Sequence, residues 1–277
     1  MNRVLDPEEY LEPRCLLCED PFGPEPMAKS IPQQRIIQKM NEYMSRRDYA
    51  GAERHLLYWL EEAKLGKDKR GELMVRNELI GHYRKVNDRK NAFQNGEKAI
   101  ELISDLGFEN TISAGTTYIN YATACNAFDE NNKALELFEK AKAIYESAVT
   151  QKPELLGGLY NNMALVLVAL NRIPEAYILY DKAILKMSEV ENGELEQAIT
   201  YLNIANAVEI EKGMEEGEHK IFQCLDHAQQ LLDSPTVPHD GYYAFVCEKC
   251  APTFSYYGYF SYSETLNKRA REIYERT

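Results

Sequence analysis

Four of the six cysteines could bind a metal, because they form two C-x-x-C pairs. Cys15 and Cys18 make the first pair, and Cys247 and Cys250 make the second. Two such pairs can hold one zinc ion in a tetrahedral site of four thiolates. However, the second pair falls at positions that pack between helices in the repeats described below, where buried thiols are common. We therefore favour core thiols over a zinc site and expect no metal.

The other reactive side chains form no recognisable catalytic motif. The sequence contains no glycine-rich phosphate loop, no His-Glu-x-x-His motif and no Gly-x-Ser-x-Gly motif. His219 and His227 lie eight residues apart without an obvious third ligand. The sequence therefore predicts a protein that is not an enzyme and that needs no cofactor.

Three asparagines recur at nearly constant intervals. Asn120 is followed by Asn162 after 42 residues and by Asn203 after a further 41. An asparagine side chain both donates and accepts hydrogen bonds, so it can bind a peptide group of either polarity. Intervals this regular indicate a structural repeat, which must position the three side chains.

The segments around these asparagines are copies of one another. In each copy a tyrosine precedes an alanine by four residues, and two further small residues follow at regular distances. The alanines are Ala122, Ala164 and Ala205, the first small residues are Ala134, Ala176 and Gly217, and the second are Ala141, Ala183 and Cys224. Within a copy, apolar residues recur at i, i+3, i+4 and i+7, which predicts helices. Small residues at facing positions let two antiparallel helices pack closely.

This layout of aromatic and small residues resembles the tetratricopeptide repeat family. The resemblance implies an all-α, right-handed superhelical solenoid of antiparallel helix pairs. Repeats of about 42 residues exceed the usual unit, so we expect lengthened helices. Weaker copies extend the resemblance over residues 31–277, as about six helix pairs. Residues 1–30 hold five of the eleven prolines and many acids, which predicts an irregular N-terminal arm.

The resemblance also gives the asparagines a place in the fold. Each lies about 200° around its helix from the packed alanine, so it faces the concave groove of a solenoid. The layout resembles the asparagine ladder of the O-linked N-acetylglucosamine transferase repeats, where amides bind a peptide backbone. A packing role for these asparagines is the alternative. The peptide-binding residues that we expect are Asn120, Thr123, Asn162, Asn203, Asn206 and Tyr256.

The last repeat is rich in aromatic residues, with nine between Tyr242 and Tyr262. Helical spacing places Phe254 in the core, but it leaves the position of several others open. They could form a contact surface for a ligand or a second subunit. They could equally form a wide terminal core whose hydroxyls reach solvent.

Composition limits the function. The net charge of -12 argues against broad nucleic-acid binding, and the absence of a long apolar run predicts no membrane span. Without a secretory signal, we expect a cytoplasmic protein. The resemblance implies an adaptor that binds a protein or an extended peptide segment, with the chain's own N-terminal arm as one candidate. The alternatives are a self-associating assembly protein, such as a homodimer, and a peptide-responsive regulator that lacks its own DNA-binding domain.

Overall fold

A computed structural model describes residues 29–276, and residues 1–28 and 277 lie outside the described part. Of the described residues 81% are helical, in eleven helices, and none of them forms a strand. The helices are α1 (Gln33–Ser45), α2 (Tyr49–Leu65), α3 (Lys69–Lys85), α4 (Arg89–Leu106), α5 (Ile112–Ala127), α6 (Asn131–Ser147), α7 (Pro153–Ala169), α8 (Ile173–Met187), α9 (Glu194–Leu232), α10 (Gly241–Tyr256) and α11 (Phe260–Tyr274). The predicted all-α repeat solenoid is confirmed.

The long helix α9 consists of two helical arms that meet at Gly213. This residue has φ 78° and ψ 171°, a conformation that is open essentially only to glycine. With the bend counted as a turn, the helices follow one another as six pairs. The other five pairs turn at a residue of positive φ that lies at the same place in each unit: Arg47, Asn87, Asp129, Asn171 and Gly258.

Aspartates begin the helices of the first units. Asp48 caps α2, Asp68 caps α3 and Asp88 caps α4, and each accepts a hydrogen bond from a backbone N–H of the first turn. Such a cap satisfies a donor that has no partner inside the helix. The second carboxylate oxygen of Asp68 also accepts from the backbone N–H of Ile31 at 2.9 Å. The chain therefore enters the solenoid beside the turn between α2 and α3.

The core lies between the helices at the small residues that the repeats share. The three packed alanines, Ala122, Ala164 and Ala205, are fully buried, and so are Ala134, Ala176, Ala141 and Ala183. Gly96 shows how close the approach is, since a Cβ atom there would lie 2.3 Å from Cδ2 of Tyr121. These contacts confirm the packing that the sequence predicts.

The first helices of successive pairs line one wall of the stack. Helix α3 contacts α5, α5 contacts α7, and α7 contacts α9. No comparable contact joins the second helices of successive pairs in the described part. The stack therefore curves with the first helices on its concave side.

The two ends of the curved stack approach each other. Arg47, in the first unit, donates from Nη2 to Oε1 of Glu248, in the last unit, at 2.7 Å. The two residues are 201 positions apart in the sequence. No helix among the described residues is long and apolar enough to cross a membrane. The division between an arm and a solenoid at residue 30 stays a prediction.

Candidate peptide-binding groove

The middle of the concave wall is almost free of charge. Helix α5 contains no charged residue, and α7 contains only Glu154, although 27% of the whole chain is charged. Gly81 on α3 and Gly158 on α7 face open space, because a Cβ atom at either place would meet nothing within 4 Å. The wall therefore offers a neutral surface with room for a ligand backbone.

One amide network joins α3 to α5 on this wall. Asn120 donates from Nδ2 to Oδ1 of Asn77 at 3.2 Å. Asn77 in turn donates to Oγ1 of Thr117 at 2.9 Å and to the carbonyl oxygen of Leu73 at 3.0 Å. Asn77 thereby uses both N–H groups and accepts one bond at its oxygen, whereas Asn120 keeps one N–H and its carbonyl oxygen for another partner.

A second amide pair joins α7 to α9. Asn203 donates from Nδ2 to Oδ1 of Asn161 at 2.9 Å. Asn161 is buried, at 8% exposure, so its oxygen depends on this partner. The neighbouring Asn162 is half-buried, and its side chain makes no hydrogen bond with any other described residue. Asn162 is thus the predicted ladder residue whose amide is wholly available.

The other three predicted residues lie on α5, α9 and α10 and differ in exposure. Thr123 is half-buried and donates to the carbonyl oxygen of Ile119 in its own helix at 2.8 Å. Asn206 is exposed. Tyr256 is 70% exposed, and its hydroxyl donates to Oε1 of Glu209 at 2.7 Å. The peptide-binding role of all six predicted residues stays a prediction.

Asn77 and Asn161 are the residues that sequence reasoning missed. Each lies at the position just before the ladder place of its own unit and bonds to the ladder residue of the next unit. The two are 84 residues apart, which is two repeat lengths, so their spacing carried the signal. The unit between them has Ile119 at this position, which explains why Asn162 has no equivalent partner.

A cavity of about 600 Å³ opens on the concave wall between α3 and α5. Asn77 and Asn120 line it, together with Glu78 and Arg70. Burial raises the pKa of the Glu78 carboxyl. The Arg70 guanidinium lies 5.2 Å from the centre of the Phe108 ring. The concave wall therefore carries charged side chains at this end of the groove.

Tyrosine hydroxyls join the last unit to the fifth. Tyr256 and Tyr257 both donate to the Glu209 carboxylate, at 2.7 Å each. Three further bonds of this kind link Tyr242 to Glu196, Tyr259 to Asp226 and Tyr262 to Asp233. Burial, followed by the contact with Asp226, raises the pKa of Tyr259 to about 12. These tyrosines therefore act as neutral donors to carboxylates of the neighbouring unit.

Some aromatic residues of the last unit lie in a terminal core, and others remain exposed on the surface. Tyr243, Phe254 and Tyr257 are buried, so part of the cluster is a terminal core. Tyr242, Phe245, Tyr256 and Phe260 remain between 47% and 70% exposed. The Tyr242 and Phe245 rings stack with their centres 6.1 Å apart. An exposed aromatic surface is therefore present beside that core.

The second cysteine pair is buried in α10. Cys247 is 0% exposed and Cys250 is 2% exposed. Burial raises the pKa of Cys250 to about 12, which keeps the thiol protonated at neutral pH. Cys15 and Cys18 lie outside the described residues. Within the described part, no group of three or more His, Cys, Asp or Glu side chains is placed to hold a metal ion.

Comparison with solved structures identifies the fold. A variant of the kinesin light chain TPR-like repeats of Podosopora anserina superposes with a TM-score of 0.50, at 17% identity over 73% of this chain and 93% of that chain. The chain has a TPR-like repeat fold.

Two further solved structures are similar to the chain at slightly lower TM-scores. The parent Podosopora anserina repeats have a TM-score of 0.49 at 17% identity, over 73% of this chain and 94% of theirs. BtubC (BKLC) from P. vanneervenii also has a TM-score of 0.49, at 16% identity over 88% of this chain and 91% of its own. No protein-family model matches the sequence, and no curated protein matches it either.

Proposed function

We propose that this TPR-like chain is a non-enzymatic scaffold that binds an extended segment of a partner protein along its concave wall. The observation that supports this most is the wall of α5 and α7, where Glu154 is the single charged residue and Asn162 presents an amide with no hydrogen-bond partner among the described residues. TPR-like folds are typical of protein-interaction scaffolds.

The wall suits a polypeptide backbone better than a charged group. An asparagine amide matches both the N–H and the C=O of a peptide unit. The open space over Gly81 and Gly158 lets a ligand backbone come close to the helices. A chain that binds through a few amides gains about 1 kcal/mol net per hydrogen bond, so affinity is modest.

The partner segment should itself be poor in charge. A charged side chain placed against the middle of α5 or α7 would lose water, and Glu154 at the start of α7 is the single charge on these two helices. Asn120 and Asn203 keep only part of their hydrogen-bonding capacity, since each already donates to a neighbouring unit. Asn162 therefore contributes most of the specific contact in the middle of the wall.

Selection of displayed 16-residue peptides against the full chain tests this proposal. The bound peptide is labelled, and its affinity is measured by fluorescence polarisation. Asn162→Ala should weaken binding about fivefold, which corresponds to about 1 kcal/mol. Gly158→Arg, which fills open space on the wall, should abolish binding.

Two controls make the outcome decisive. Leu185→Ser changes an exposed residue of α8, outside the concave wall, and should leave affinity unchanged. Thermal melting of each variant shows whether it is folded. Selected peptides that bind folded Gly158→Arg as well as the parent chain would exclude the concave wall as their site.

A second function, self-assembly, is favoured by the exposed aromatic surface of the last unit. Tyr256 and Phe260 are 70% and 65% exposed. Exposed aromatic side chains are enriched at protein interfaces. Light scattering coupled to size-exclusion chromatography tests it, because a dimer that Phe260→Ser dissociates would support assembly. A monomer at every concentration would exclude it.

A further inference from the structure

A cleft of about 780 Å³ lies where the two ends of the solenoid meet. The turn between α1 and α2, the end of α3, and the helices α10 and α11 form its walls. Its aromatic and apolar lining consists of Met44, Tyr49, Phe245 and Tyr274. The cleft is separate from the concave wall of α5 and α7.

The cleft is strongly basic in a chain whose net charge is -12. Four cations line it, and they are Arg46, Arg47, Lys85 and Lys249. Glu248 is the one carboxylate in the lining, and it pairs with Arg47 at 2.7 Å. Two nearby acids have closer partners, since Glu42 pairs with Lys39 at 2.7 Å and Asp48 caps α2. After Lys39, the charge of Arg46 also contributes to lowering the pKa of Glu42.

Three of these cations form no direct ion pair with a carboxylate of the described residues. Arg46 and Lys249 form no ion pair with any described residue, and both are exposed. Lys85 forms none either, and its ammonium lies 5.4 Å from the centre of the Tyr49 ring. Like charges gathered around one cleft repel one another, so an anion placed there would be stabilised by all three.

The lining defines the chemistry of the ligand. Carboxylates would pair with the cations, and an aromatic or aliphatic side chain would pack against Tyr49 and Phe245. The segment of this chain from residue 6 to residue 12, Asp-Pro-Glu-Glu-Tyr-Leu-Glu, combines these groups. It carries four carboxylates, no cation, and the apolar pair Tyr10 and Leu11.

We propose that residues 6–12 of the same chain bind in this cleft and bridge the first and last units. The described chain begins at Lys29, whose backbone N–H donates to the carbonyl oxygen of Gly66 at 2.9 Å. The cleft lies at the other end of α1, a distance of about 20 Å for 13 helical residues. The 17 residues from Glu12 to Lys29 span up to about 55 Å when extended. The reach is therefore sufficient.

Because residues 6–12 belong to the same chain as the cleft, weak ionic contacts are sufficient to hold them there. A segment linked by a short connection experiences a local concentration in the millimolar range, without any entropy cost of bringing two molecules together. Screening by salt should weaken such binding, because the contacts lie at the surface. Bound in this way, residues 6–12 would add carboxylates to the Arg47–Glu248 contact and hold the solenoid ends together.

Zero-length carbodiimide cross-linking of the full chain tests the proposal, since it joins carboxylates to lysines in direct contact. Mass spectrometry should find residues 6–12 linked to Lys85 or Lys249. Lys140 and Lys182 are exposed controls on α6 and α8, and links to them should be at least tenfold fewer. Sodium chloride at about 0.5 M, where the screening length is only a few ångströms, should reduce the specific links severalfold.

A variant and a labelling control distinguish binding in this cleft from nonspecific ionic attraction between residues 6–12 and lysines. Arg46→Glu changes an exposed side chain, so it should keep the melting temperature while lowering the links to Lys85 and Lys249 severalfold. Mixing chains labelled with nitrogen-15 and unlabelled chains identifies links between molecules. Links spread equally over all lysines, links unaffected by Arg46→Glu, or links only between differently labelled chains would each overturn the proposal.

Discussion

The wall of α5 and α7 differs in its contacts from the junction between the last two units, although single tyrosine–carboxylate bonds such as Tyr160 to Glu146 also join the central units elsewhere. Between α5 and α7 the contacts are alanines, tyrosine rings and apolar side chains, with a single charged residue on the two helices. Between the fifth and sixth units, five tyrosine hydroxyls donate to four carboxylates. The stability that apolar contacts contribute is proportional to the area that they bury. The stability that tyrosine–carboxylate bonds contribute depends on hydrogen-bond geometry and on the protonation of the tyrosine.

The two regions are therefore suited to different roles, ligand binding in the middle and contact between the two ends of the solenoid. A neutral central wall keeps its polar groups available for a ligand and has little that responds to pH or salt. The ends carry the basic cleft, exposed aromatic rings of the last unit and the Arg47–Glu248 contact. The middle of the solenoid is therefore suited to hold a peptide, and its ends are suited to respond to charge.

The strongest test of this comparison removes one buried phenylalanine from each region. Phe138→Ala and Phe254→Ala each delete a fully buried ring and should cost about 3–5 kcal/mol. A repeat protein transmits stability between neighbouring units, so a central loss uncouples both halves. Phe138→Ala should therefore lower the whole urea transition, whereas Phe254→Ala should release only the last unit.

Two signals distinguish these outcomes. Trp59, the single tryptophan, lies in α2 and reports on the first unit. In Phe254→Ala, helical dichroism should fall in an early step while Trp59 fluorescence stays constant. If both variants unfold in one step at the same urea concentration, the two regions form one cooperative unit and the comparison is wrong.

The bend in α9 gives the next largest effect. An alanine at Gly213 would have to adopt φ 78° and ψ 171°, at a cost of about 1–3 kcal/mol. No atom would obstruct its Cβ, so the cost comes from the backbone alone. Gly158→Ala is the matched control, because Gly158 also faces open space but lies in a regular helix. This change should raise the free energy of unfolding by about 0.5–1 kcal/mol. Urea midpoints should move in opposite directions for the two variants, and a shared direction would contradict the strain.

The parts of this fold that the sequence predicts are those that depend on local spacing. Close approach of two helices demands alanine or glycine at the contact, so the intervals of Ala122, Ala164 and Ala205 revealed the packing. The asparagine partners were missed because Asn77 and Asn161 act across a unit boundary, in the helix of the preceding repeat. The contact between the ends was also missed, because it depends on small rotations that add up over six units.

Alkaline pH should open the last unit first. Burial raises the pKa of Tyr259 and that of Tyr243 to about 12, above the ordinary value of 10. The folded state therefore keeps these protons longer than the unfolded state does. The stability that they contribute is complete below pH 10 and is lost as the pH rises towards 12. Part of the helical dichroism should disappear in this range before Trp59 fluorescence changes.

A matched variant checks the origin of that pH dependence. Tyr259→Phe removes one titrating hydroxyl and its bond to Asp226, which should cost about 1 kcal/mol at pH 8. It should also make the loss of stability between pH 10 and 12 less steep. An unchanged slope in Tyr259→Phe would show that other groups control the alkaline transition.

The smallest effect distinguishes two adjacent asparagines on the central wall. Asn161→Ala removes the buried acceptor of Asn203 and should cost about 1 kcal/mol, since the Asn203 donor then lacks its partner. Asn162→Ala removes a side chain without a partner in the described part, so stability should change by less than about 0.5 kcal/mol. The double change of Asn161 and Asn203 to alanine should show a coupling energy of about 1 kcal/mol in a mutant cycle. Urea denaturation of the parent chain, the three single variants and the double variant measures all three quantities. Equal costs for Asn161→Ala and Asn162→Ala would mean that both asparagines serve packing, and the wall would then hold no amide reserved for a ligand.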